Sequence, residues 1–129
     1  MRKFLLSAFC LVLSIPSLAQ TESENHSYSR ELVRRADCKA MQTGYVFDAP
    51  LDANAVNNLR SELYLFERGI YAVRFSSDRK KVRIDHISYV RVPNITAFLA
   101  QLGITCTLDY SSTTVFKDEL TNETKPITE

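Results

Sequence analysis

Asp52-Ala-Asn-Ala-Val-Asn-Asn-Leu-Arg-Ser-Glu-Leu-Tyr-Leu-Phe-Glu-Arg-Gly69 is the stretch whose reading decides the fold. Val56, Leu59, Leu63 and Phe66 recur every three or four residues, which makes one apolar stripe along a helix. Asp52 is placed to cap the first turn, and Gly69 to end the helix in the left-handed conformation. Directly behind it, Ile70-Tyr-Ala-Val-Arg-Phe75 alternates as a strand, with Tyr71, Val73 and Phe75 on one face and Ile70, Ala72 and Arg74 on the other. The polar run Ser76 to Lys81 then joins it to a second alternating run from Val82 to at least Asp85, so the pair predicts a hairpin. Its outer face carries Arg74, Arg83 and Asp85 as charged neighbours.

Upstream, Cys38 to Phe47 reads as a first strand, with Met41, Thr43, Tyr45 and Phe47 on one face. Asp48-Ala-Pro-Leu-Asp52 breaks it. Downstream, His86 to Val92 either continues the hairpin or forms a loop to Pro93. Asn94 then caps a second helix carrying Ile95, Phe98, Leu99 and Leu102, which Gly103 stops. Ile104 to Tyr110 is a fourth strand, rich in β-formers. The order β-α-β-β-α-β predicts an α+β, ferredoxin-like fold: a four-stranded antiparallel sheet with both helices on one face. Right-handed crossovers put the first strand between the third and the fourth. A small α+β roll with another strand order is the alternative.

The ends read differently. Arg2 and Lys3, the apolar run Phe4 to Leu13 and the small residues Ser17 and Ala19 fit a signal peptide over residues 1–19. That predicts an exported protein, periplasmic or extracellular, with no transmembrane segment after cleavage. Residues 20–37 read as a polar, mobile leader, residues 38–110 as the domain, and residues 111–129 as a solvated tail in which Val115 and Phe116 could tuck back. Once residues 1–19 are removed, 14 basic residues face 15 acidic ones, which gives no reason to expect nucleic acid or an anionic surface as partner.

The helix, Gly69-Ile70, Val73, Phe75, the hairpin, Val82-Arg-Ile84 and the helix ending Leu102-Gly103-Ile104 together resemble a heavy-metal-associated domain. The resemblance covers about Lys39 to Tyr110. It implies the ferredoxin-like fold and, in the family, binding of soft metals by a C-x-x-C pair between first strand and first helix. Here Asp48 to Ala55 contains no Cys, His or Met, so the family's ligands are absent while its scaffold is kept.

Two cysteines remain after export. An oxidising compartment invites a disulfide between Cys38 and Cys106, yet the expected register sets them towards opposite ends of the sheet. The other readings are a link between chains, a reactive Cys38 beside Arg34 and Arg35, or a rearranged metal site using Cys38, Cys106 or Met41. Neither His26 nor His86 is spaced to serve a cysteine as base, so no catalytic residue and no cofactor is expected. The basic run Arg79-Lys80-Lys81 reads as a solvated hairpin tip. Asn25, Asn94 and Asn122 head glycosylation triplets, relevant only in a eukaryotic host. The reading is therefore a small, non-enzymatic exported module that binds another exported or envelope protein. Its interaction residues are Ile70, Tyr71, Arg74, Arg83 and Asp85 on the sheet face, with edge-strand pairing as a further mode. A metal-binding or metal-transfer protein is the alternative.

Overall fold

The computed structural model describes residues 21–116. A helix over residues 21–34, α1, leads into β1 (Ala40–Phe47), α2 (Ala53–Phe66), β2 (Ile70–Phe75), β3 (Lys81–Ile87), α3 (Val92–Gln101) and β4 (Cys106–Thr114). The four strands form one antiparallel sheet in the order β2-β3-β1-β4, the ferredoxin-like arrangement expected from right-handed crossovers.

The decisive helix forms for the reasons its residues give. Asp52 accepts the Ala55 N–H at 2.8 Å, and Leu59, Leu63 and Tyr64 are buried against the sheet. Its end differs from expectation. Gly69 has no positive φ, and the chain leaves α2 through an extended Glu67. Glycine is needed at 69 for closeness: a Cβ there would stand 2.7 Å from both Ile87 Cγ1 and Val90 Cγ2. Gly103, at φ 79, is the left-handed residue that follows α3. The start of α3 also moves. Arg91 occupies the cap position without a side-chain bond, Pro93 lies in the first turn, and Asn94 is inside the helix.

Three further differences share one physical origin, burial by groups that periodicity does not count. β3 runs on to Ile87, so His86 is a fully buried strand residue rather than an exposed strand end. β4 extends to Thr114, and Phe116 packs against Tyr71 at 4.7 Å between ring centroids, so residues 111–116 belong to the domain. Most of all, residues 21–34 are not a mobile leader. Helix α1 buries Asn25, His26, Ser29 and Leu32. The Asn25 amide donates to the carbonyls of Tyr64 at 2.9 Å and Glu67 at 3.2 Å, at the end of α2, and of Ile70 at 2.8 Å, at the start of β2. Ser29 donates to Gly69 O at 3.4 Å. The signal peptide expected over residues 1–19, and the tail beyond 116 with Asn122, lie outside the described residues.

Candidate functional site

An open sheet has two edges, and this chain treats them differently. At β2, the Val73 N–H donates to Tyr64 Oη at 3.1 Å, and Val73 O accepts from Arg60 Nε at 3.4 Å. Helix α2 thus lays side chains over the outward N–H and C=O of Val73, midway along that strand. The Arg60 guanidinium also sits 5.3 Å from the centre of the Phe75 ring, which holds it there. Such coverage is one way in which folds stop an edge from recruiting another strand.

β4 has no equivalent cover among the described residues. The direction of its backbone groups follows from the alternation in β1. Phe47 N–H reaches Lys80 O at 2.7 Å, while Asp48 N–H reaches Thr105 O at 3.0 Å, so even-numbered residues of β1 face β4. Gly44, Gln42 and Ala40 pair with Tyr110, Ser112 and Thr114, which therefore point inward. Ser111 and Thr113 point their N–H and C=O outward. Seven of the nine residues in this strand are exposed or carry only small polar groups, and it contains no Lys, Arg or Pro to blunt it; Asp109 is its single charge. A bulge falls opposite Gly44 and Tyr45, so Tyr110 to Thr114 is the regular part. Tyr110 lies flat over Gly44, which has no Cβ to obstruct it.

At the end of β4 an open groove of about 580 Å³ is lined by Val33, Cys38, Ala40, Ser88, Thr113 and Phe116, among others. The Cys38 thiol borders it. Burial, and then the Asp37 carboxylate, push that thiol up from its ordinary value, so it is a poor nucleophile at neutral pH. Burial and Asp48 do the same to Cys106. Both thiols are free. Cys106 pairs with Phe47 and Cys38 precedes Ala40, so they occupy opposite ends of β1, roughly 20 Å or more apart. The disulfide weighed from sequence is therefore not formed, and a site joining Cys38 with Cys106 is not assembled within one chain. Met41 instead accepts a weak contact from Thr113 Oγ1 at 3.8 Å. Among the described residues no group of three or more His, Cys, Asp or Glu side chains could hold a metal ion.

The sheet-face residues separate. Ile70 is 0% and Tyr71 4% exposed, so neither is available to a partner in this conformation. The reason is the bulge between Ile70 and Ala72, which breaks the alternation and turns Tyr71 to the side of Asp85, where His26 and Phe116 meet its ring. Burial raises the Tyr71 phenol far above its ordinary value, the nearby Asp85 adding to it. Arg74 stands directly opposite Arg83, and Arg83 Nε is 3.1 Å from Asp85 Oδ1, an ion pair whose carboxylate is buried. Arg74 and Arg83 remain partly exposed.

Sequence reasoning missed one buried polar chain. His86 Nδ1 lies 3.0 Å from Ile87 O, which can only accept, so in the neutral ring Nε2 is the acceptor. Thr43 Oγ1, 2.7 Å away, donates to it and receives the Ser111 hydroxyl at 2.9 Å. The chain ties β3, β1 and β4 together side by side. Burial holds the His86 pKa below its ordinary value, against backbone hydrogen bonds that favour the charged ring. The signal in the sequence was Thr43 on an otherwise apolar face.

No described helix is long and apolar enough to cross a membrane. Comparison with protein-family models, with curated proteins and with solved structures finds no match for this chain.

Proposed function

We propose that this protein is an exported, non-enzymatic binding module that takes up an extended segment of another protein along β4. The observation that supports it is the contrast between the edges: at mid-β2 the outward groups of Val73 are covered by Tyr64 and Arg60, while β4 presents Ser111 and Thr113 uncovered among the described residues. Strand addition draws affinity from main-chain hydrogen bonds and tolerates small polar side chains, which is the composition found here. The heavy-metal-associated resemblance enters this reading as a scaffold whose metal loop is empty, since Asp48 to Asp52 serves to turn the chain and cap α2.

A photo-crosslinking residue placed at Ser111, compared with one at exposed Asn58 on α2, tests this in an exporting host. Crosslinked protein at 111 and none at 58 is the expected result. Equal labelling at both, or none at 111, contradicts strand addition at β4.

A further inference from the structure

We infer that the segment taken up by β4 is β4 of a second copy of this chain, paired antiparallel about a two-fold axis through Ser112; this rests on the strand-addition reading above. The register follows from which groups point outward. Ser111 and Thr113 carry the outward N–H and C=O groups, and an antiparallel ladder exchanges such groups between directly opposite residues. Setting Ser111 against Thr113 of the second copy uses all four residues at once, and a two-fold axis then passes through Ser112.

That register matches features that played no part in choosing it. Asp109 is the extra residue of the bulge, so Leu108 stands three ladder steps from Ser112 in one direction, and Val115, the first residue past the end of β4, lies three residues from it in the other. The axis therefore brings Leu108 beside Val115 of the second copy, twice. These are the two large apolar side chains exposed on this edge, 45% and 81%. Charge is compatible as well. The strand's one ionisable carboxylate, Asp109, lies away from the axis, and its two copies stand about 16 Å apart by strand rise, beyond the screening length in physiological salt. Ser112 faces inward to Gln42, so across the axis Ser112 meets its own copy as a non-hydrogen-bonded pair, with Cα atoms about 4.5 Å apart.

This last point supplies the test. Ser112→Cys places two thiols within disulfide range, whereas Ser111→Cys places its copies two steps out of line, about 8 Å apart at Cα and beyond that range. The full exported protein carrying each substitution is oxidised mildly and the linkage mapped by mass spectrometry, beside sedimentation of the unsubstituted protein. The expected result is a concentration-dependent dimer, a 112–112 linkage in Ser112→Cys and no 111–111 linkage in Ser111→Cys. Thr113→Pro removes two hydrogen bonds per dimer and weakens dimerisation about thirtyfold. A monomer at every concentration overturns the inference, as does a dimer linked through 111 or through Cys38 or Cys106. A monomer that still crosslinks another protein from position 111 overturns this inference and leaves strand addition standing. A monomer without crosslinks at 111 overturns both.

Discussion

Tyr64 of α2 accepts the main-chain N–H of Val73 at 3.1 Å, so a helix side chain does for β2 what a neighbouring strand would do. Removing the hydroxyl leaves a buried N–H without its partner. Tyr64→Phe is expected to cost about 1–3 kcal/mol in urea unfolding, more than a surface substitution such as Asn58→Ala. No loss of stability would mean that the Val73 N–H finds another acceptor.

Asn25 holds three carbonyl oxygens from 39 or more residues further along the chain. Asn25→Ala is expected to destabilise the fold by about 1–3 kcal/mol and to speed amide exchange in α1 and at Ile70. The residue is only 2% exposed, so the Asn25-His-Ser triplet should stay unglycosylated once the domain has folded; glycan at Asn25 in folded material would contradict the docking of α1.

This helix also shows where sequence reading stops. The stripe Val56, Leu59, Leu63, Phe66 is apolar, so hydrophobic period found α2 without help. The buried side of α1 is built on Asn25 and Ser29, which reach carbonyls at and just beyond the end of α2, and on His26, which meets the rings of Tyr71 and Phe116. No periodicity of hydrophobic residues records that arrangement. Strand order was legible for a similar reason to α2, since alternation and crossover handedness are local rules. The bulge at Tyr71 was not, and it removed Ile70 and Tyr71 from the predicted interaction face. The candidate site at β4 was legible only as a strand; its contrast with the other edge rests on Tyr64 and Arg60 at Val73, contacts that no local pattern records.

His86 is buried neutral, with a pKa held below 6.5 by burial. The unfolded chain therefore binds a proton that the folded chain resists as pH falls through about 6.5, and stability should fall with it, down to the folded value. His86→Gln, which keeps a hydrogen-bonding side chain but cannot charge, should flatten the unfolding midpoint between pH 7 and pH 5 relative to the unsubstituted protein. Identical slopes for the two would show that His86 does not set this dependence.

Gly69 and Gly103 should respond to alanine for different reasons. Gly69→Ala drives a methyl into Ile87 and Val90 and is expected to cost about 1–3 kcal/mol, partly relieved when Val90→Ala is added. Gly103→Ala meets no atom within 4 Å, so its cost is the left-handed backbone alone, about 1 kcal/mol, and no neighbouring substitution should relieve it. Thermal midpoints of the two single variants and the double variant separate these cases.

The β4 edge is tested most directly by residue-resolved amide exchange of the full-length protein, followed from low to high concentration and again with extract of its native host. The Val73 amide, bonded to Tyr64, should be protected throughout. The Ser111 and Thr113 amides should exchange freely when dilute and become protected as concentration rises. Ser111 and Thr113 amides that exchange freely at every concentration and in the extract would contradict docking at β4.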